Sequence, residues 1–292
     1  MTRDGFHLPP PLLERVLQRL GFQSRPKLAF EPLRRLYTAW CQRVPFDNLR
    51  KLIHVRAGDP GPLPGDDPVD FFEGWLRHGA GGTCWAANGA LHALLRSLSF
   101  DARRGLGTML AAPNLPPNHG TVIVLIDARR YLLDASILHG EPLPLDEHAP
   151  TQIVHGAWGV RCERRGRNWF VHWRPLHTLS GLECRIERLR VSATEFQQRH
   201  ERSRPWSPFN YSVYARSNRG DAVIGVAFGR QLELDGGGDW RQTEISAPQR
   251  AQFLIERLGI GAQLVERLPL DLPLPPPPES VTARGRRAAA AG

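Results

Sequence analysis

The chain has 292 residues, 41% of them hydrophobic and 23% charged, with a formal net charge of +9. Such a composition excludes collagen-like, wholly disordered and disulfide-scaffold proteins, and at roughly 150 residues per domain the length suggests about two domains. The longest clean apolar run, residues 122–126, is too short for a bilayer span, and no apolar stretch follows Arg3, so a cytoplasmic protein without a membrane partner is expected.

In chain order, the first hundred residues read as helical. Leu12, Val16, Leu17 and Leu20 recur at helix spacing up to Gly21, and Leu33, Leu36, Tyr37 and Trp40 repeat the pattern until Pro45. Residues 57–68 are a Gly- and Pro-rich loop, and a short helix over 69–77 leads into Gly79-Ala80-Gly81-Gly82. Leu91, Leu94, Leu95 and Leu98 then form an i, i+3, i+4, i+7 stripe. Near residue 103 the character changes. Short β-rich runs at 122–126, 131–134, 160–162, 169–173 and 182–189 predict an antiparallel sheet or barrel. Further strands at 211–215, 222–228 and 231–234 precede a helix over 247–258 ended by Gly259, and the six prolines within 269–278 read as the start of a disordered tail. The divisions expected are residues 1–102 helical, 103–205 barrel, 206–266 a mixed α/β unit and 267–292 tail.

A basic surface makes nucleic acid the first partner to test. The arginines are dispersed, however, in short pairs such as Arg34-Arg35, Arg103-Arg104 and Arg164-Arg165, and no nucleic-acid motif accompanies them. No nucleic-acid partner is expected. The cysteines Cys41, Cys84, Cys162 and Cys184 show no C-x-x-C spacing, so free thiols and no metal are expected.

Cys84 follows the Gly-rich turn and opens the Leu-striped helix, where the positive end of the dipole favours a thiolate. A buried Cys acting as a small hydrophobe fits the same pattern. A nucleophile needs a base and a group that orients the base. If residues 122–126 and 129–133 form a hairpin through Asp127-Ala128, Ile126 faces Arg129 and Asp134 sits opposite Thr121. His119 then lies two residues further along the same face, about 7–8 Å from Asp134. Asp134 as a plain strand-end cap fits too, and His54, His78 and His139 stay open as alternative bases. His92, eight residues along the same helix, is too distant along the axis.

Five segments, in order, resemble the arylamine N-acetyltransferase family: Val44-Pro45-Phe46-Asp47-Asn48-Leu49, Gly81-Gly82-Thr83-Cys84-Trp85-Ala86-Ala87-Asn88, Asn118-His119, Tyr131-Leu132-Leu133-Asp134 and Ser207-Pro208-Phe209. The resemblance extends from the first helix to about Gly261. It implies an α+β fold with an N-terminal helical domain, a central antiparallel β-barrel, a C-terminal α/β lid and a papain-like Cys-His-Asp triad. Cys84 would be the nucleophile, His119 the base and Asp134 the orienting acid, with Phe46 and Phe209 lining the acceptor pocket. The implied reaction is ping-pong transfer of an acetyl group from acetyl-CoA to a small-molecule amine, an arylamine or hydrazine.

Two departures bear on this. Ala80 stands where the family has Arg, and Ala86 where it has an acidic residue, so a supporting ion pair is expected to be missing as a unit. The family's Asp-Val-Gly-Phe-Gly is Asp134-Ala135-Ser136-Ile137-Leu138 here, and those glycines border the family's cofactor cleft. The alternatives are an amide synthase of the same family, taking its acyl group from an acyl carrier protein as in macrolactam formation, and a non-catalytic binding protein on this scaffold.

Overall fold

The computed structural model describes residues 6–111, 116–178 and 180–276. Its helical part contains α1 (Pro10–Arg19), α2 (Phe30–Arg43), α3 (Leu49–Arg56), α4 (Pro68–His78) and α5 (Cys84–Ser97), with the two-residue strand β1 (Phe46–Asp47) between α2 and α3. The local chemistry of α4 is complete: the Asp67 side chain caps Val69 N–H, Pro68 opens the helix, and Gly79 closes it at φ +69°. In contrast, Thr83 makes no side-chain cap on α5. A missing cap costs about 1 kcal/mol. Leu91, Leu94 and Leu95 are fully buried, and each contributes about 2 kcal/mol, so packing outweighs the missing cap. The first N–H groups of α5 are thus left without a side-chain acceptor from Thr83.

An eight-stranded antiparallel sheet follows, in the order β5-β4-β3-β2-β9-β8-β7-β6. Its strands are β2 (Asp101–Met109), β3 (His119–Ile126), β4 (Arg129–Leu133), β5 (Leu143–Pro144), β6 (Thr151–Ile153), β7 (Val160–Arg165), β8 (Asn168–Trp173) and β9 (Leu182–Val191). Thr151 Oγ1 donates to the Pro144 carbonyl at 2.6 Å, joining the β5 and β6 edges, so the sheet is a nearly closed barrel. The β3–β4 hairpin has the expected register, Ile126 facing Arg129. Its turn residues Asp127 and Ala128 both take positive φ, at 49° and 60°, as a two-residue turn between right-twisted strands requires.

Helix α6 (Ala193–Glu201) leads to a second sheet, β1-β10-β11-β12-β13, formed by β10 (Tyr214–Arg219), β11 (Ala222–Ala227), β12 (Arg230–Leu234) and β13 (Trp240–Glu244). Helices α7 (Ala247–Glu256) and α8 (Ala262–Val265) follow it. The edge strand β1 comes from the helical part, with Phe46 opposite Arg216, so this sheet is not confined to residues 206–266. β10 starts three residues later than the β pattern of the sequence places it. The Asn48 side chain explains this: it donates to the Phe209 and Ser212 carbonyls and accepts from Tyr214 N–H, holding the segment as a loop.

The stretch from 267 is not free chain at its start. Val213 N–H and Arg250 Nη1 both donate to Asp271, Leu272 N–H donates to the Tyr211 carbonyl, and Arg56 donates to the Leu270 carbonyl. The rest of the expected tail, from 277, lies outside the described residues, as do residues 112–115. Among the described residues no helix is long and apolar enough to cross a membrane.

Candidate active site

The Gly-rich turn packs against β1. A Cβ at Gly81 would collide with the Pro45 carbonyl oxygen, so the chain passes here only without a side chain. Asp47, fully buried, accepts from Gly81 N–H at 2.6 Å and from Leu49 N–H at 3.0 Å. Burial raises its carboxyl to about 6 against the pull of those two bonds. The turn is thereby pinned just before Cys84.

At the start of α5, Cys84 is 7% exposed. Its Sγ lies 4.0 Å from the Asn118 carbonyl oxygen, and Cys84 is near enough to the His119 ring to favour the imidazolium. His119 opens β3, and its Nε2 sits 2.6 Å from Asp134 Oδ2, leaving Nδ1 as the nitrogen available to the thiol. Burial disfavours the imidazolium, but Asp134 and Cys84 outweigh it and push His119 well up. Burial likewise opposes the Asp134 carboxylate. The His119 charge and the bonds from His119 and Ser136 prevail and hold it below the usual carboxylate range.

Asp134 Oδ1 accepts from Ser136 N–H at 2.9 Å, Ser136 Oγ at 2.6 Å and Ile137 N–H at 3.1 Å. Tyr37 OH donates to the Asp134 carbonyl at 2.8 Å and accepts from Asp134 N–H at 3.0 Å. Asn88 Nδ2 donates to the Cys84 and Gly120 carbonyls, and Asn88 Oδ1 accepts from Ala135 N–H. Sequence reasoning alone assigns no role to Tyr37 or Asn88. The spacing of Asn88 is a usable signal, since four residues after Cys84 it shares that residue's helix face.

The other histidines face elsewhere. His54 Nε2 is 3.1 Å from the Gly61 carbonyl, and His139 Nδ1 donates to the Glu141 carbonyl. Burial takes His92 down to about 3 and His139 to about 4. His78 is likewise held low, by burial and nearby arginines.

Phe46 and Phe209 meet edge to face at 5.3 Å, and Tyr214, which sequence reasoning did not single out, completes an aromatic trio with both. Ala80 belongs to the apolar cluster of Leu49, Leu52 and Val213, whereas Ala86 abuts Gly65 and Gly82 within the main core. Ile137 and Leu138, in place of the family's Phe-Gly, are buried, and Leu138 is held at φ +56°, a conformation that favours glycine. Arg216 is 1% exposed, and its Nε and Nη1 have no hydrogen-bond partner among the described residues.

A helical part, a nearly closed barrel and a second sheet, with a cysteine, a histidine and an aspartate converging from α5, β3 and the end of β4, define a recognisable class of α+β protein. A family model described as N-acetyltransferase matches residues 29–175, half of the chain. The chain belongs to the arylamine N-acetyltransferase family. It is 28% identical over 179 residues to an arylamine N-acetyltransferase / N-hydroxyarylamine O-acetyltransferase of Salmonella typhimurium, covering 59% of this chain and 60% of that enzyme. To an arylamine N-acetyltransferase of Mycolicibacterium smegmatis it is 25% identical over 183 residues, 56% of this chain and 62% of the other. The matched region thus spans about 60% of the length of these curated relatives. In fold it resembles the Mycobacterium marinum arylamine N-acetyltransferase solved in complex with CoA, with a TM-score of 0.75, 19% identity, and 88% and 96% of the two chains covered. The Mycobacterium abscessus enzyme gives a TM-score of 0.73 at 21% identity, covering 88% and 94%.

Proposed function

We propose that the protein is an acyltransferase that moves an acetyl group from acetyl-CoA, through a thioester on Cys84, to an arylamine or hydrazine. The observation that carries this reading is the buried 2.6 Å contact between His119 Nε2 and Asp134 Oδ2, with Cys84 at the start of α5 near enough to the same imidazole to favour its charge.

Each step follows from these groups. His119 takes the thiol proton, and Asp134 holds the ring and its positive charge. The thiolate adds to the donor's thioester carbonyl, forming the new C–S bond. The uncapped N–H groups at the start of α5 face the developing oxyanion. The intermediate collapses, the donor's C–S bond breaks, and its sulfur leaves with the proton from His119. The acceptor nitrogen then adds to the acyl-cysteine, gives its proton to His119, and expels Cys84. Phe46, Phe209 and Tyr214 supply the apolar wall for a flat acceptor.

The buried Ile137 and the strained Leu138 favour a second reading. Side chains fill the stretch that is glycine-bearing in the family pattern, which leaves less room for a nucleotide-tailed donor. An acyl carrier protein, acidic as partners of a +9 chain would be, delivers the same thioester on a pantetheine arm alone.

Acetyl-CoA added without an acceptor, followed by intact mass and peptide mapping, separates the readings. One acetyl group on Cys84, absent in Cys84→Ala and diminished in His119→Ala, is expected. An unmodified Cys84 that a small reactive thioester still labels favours the carrier-protein synthase. No labelling by either supports a binding protein without catalysis.

A further inference from the structure

A two-residue hairpin turn of this twist takes positive φ at both positions, and Asn-Gly or Asp-Gly fits it best. The β11–β12 hairpin, in which Ala227 faces Arg230, has Phe228-Gly229 instead, at φ +52° and +77°. Gly229 suits its place, whereas a bulky side chain at positive φ is an outlier. Burial does not repay that strain, because Phe228 is 46% exposed. Its ring instead meets two other rings edge to face, His177 at 5.6 Å and Tyr214 at 6.3 Å.

Tyr214 joins these rings to the inner aromatic trio. Its ring meets Phe46 at 5.6 Å, Phe209 at 5.5 Å and His177 at 5.5 Å, and its hydroxyl lies 3.3 Å from His177 Nδ1. Phe46 in turn bridges to Gly82, two residues before Cys84. The five rings therefore form one continuous run that begins beside the turn leading into Cys84. Phe46 and Tyr214 are buried, Phe209 is half-buried, and His177 and Phe228 are exposed, so the run passes from the interior to the surface. Strained residues persist where a ligand contact needs them. We propose that Phe228, with His177, determines specificity at the rim of the acceptor site, by selecting arylamines whose aromatic part extends beyond one ring. The inference rests on the reading of Phe46, Phe209 and Tyr214 as the acceptor wall. With its amine toward Cys84, a two-ring acceptor runs outward along Tyr214 and its outer ring meets Phe228, in the offset or edge-to-face manner that aromatic pairs prefer. A single-ring amine ends at the inner trio.

The test is steady-state kinetics with aniline and with 2-aminonaphthalene, at saturating acetyl-CoA or a small reactive thioester as donor. Phe228→Asn places a preferred residue in the turn and should melt no lower than wild type. Its KM for 2-aminonaphthalene should rise about 3–10-fold relative to its KM for aniline, the worth of one aromatic contact, with kcat moving less. Phe228→Ala should shift the ratio in the same direction, and Phe228→Tyr, which keeps the ring, should hold the wild-type ratio. A folded Phe228→Asn with the wild-type ratio overturns the inference and leaves the acyl-cysteine reading intact. Slower acylation of Cys84 with an unchanged ratio also overturns it, by assigning Phe228 to the donor. If wild-type Cys84 takes an acyl group from neither thioester, the reading of the site fails and the inference with it.

Discussion

Asn88 and Gly120 tie the helix that Cys84 opens to the strand that His119 opens: Asn88 Nδ2 donates to the Gly120 carbonyl at 2.7 Å, one residue beyond His119. The same amide donates to the Cys84 carbonyl at 3.1 Å, and its oxygen accepts from Ala135 N–H at 2.9 Å. One side chain thus spans the three segments that carry Cys84, His119 and Asp134. Asn88→Ala leaves three buried backbone groups short of a partner, each worth about 1 kcal/mol or more. A loss of about 3 kcal/mol in denaturant unfolding is expected, together with a lower acylation rate. A variant as stable as wild type would deny Asn88 this clamping role.

Removing the His119–Asp134 contact tests the proton path. Asp134→Asn keeps the size of the side chain but removes the charge that favours the imidazolium. Acylation of Cys84 should fall by about 10²–10⁴-fold, in line with the loss of general acid–base help. Single-turnover rates measured with a thioester donor check it, and a change below threefold would argue against His119 as the base.

Asp47 makes stability depend on pH. Its folded carboxyl titrates near 6, above the unfolded value of about 3.9, so the unfolded chain gives up this proton first as pH rises. Below pH 4 both states hold the proton and the group has no effect. Between about pH 4 and 6 it lowers stability, by up to about 3 kcal/mol, and the effect is constant above that range. Wild type should therefore lose stability relative to Asp47→Asn across that window. Parallel stability curves from pH 4 to 7 would contradict the assignment.

Leu138 couples strain to packing. Leu138→Gly relieves a positive φ worth about 1–2 kcal/mol but removes a fully buried side chain worth about 2–5 kcal/mol. A modest fall in melting temperature is expected. If the side chain occupies space that a CoA donor needs, the variant should also gain kcat/KM for acetyl-CoA. A stable variant with an unchanged KM and kcat would detach Leu138 from donor choice.

The C-terminal anchors set where the chain can be shortened. Truncation after residue 276 keeps the bonds of Leu270, Asp271 and Leu272 and should leave the melting temperature within error. Truncation after residue 266 removes the 2.5 Å Asp271–Arg250 ion pair and the bond to Val213 N–H. A cost of about 1–3 kcal/mol follows from those partners left at a half-buried edge. Equal stability of the two truncations would show that the anchors contribute nothing.

Signals confined to one or two turns of chain are legible in the amino-acid sequence alone. Asp67, Pro68 and Gly79 mark the ends of α4, the Leu91–Leu98 stripe marks α5, and a two-residue turn between residues 126 and 129 settles the parity that brings His119 and Asp134 to one face. Ser192 with Glu195 is an equally local cue for α6, and sequence reasoning missed it. The ordered motifs also point to the family. Contacts between distant segments are not legible in this way. β1 is two residues long, too short for any period, and exists because Asn48 and β10 hold it. α3 carries Arg50, Lys51, His54 and Arg56 in eight residues, which masks its short apolar face. Neither the burial of Lys51 nor that of Arg216 follows from local pattern, since a charged side chain is solvated by default and is enclosed only when other segments close over it. That His119, rather than His54, His78 or His139, lies near Cys84 likewise rests on barrel and helix meeting at Asn88, because proximity across the core is a matter of ångströms rather than of spacing along the chain.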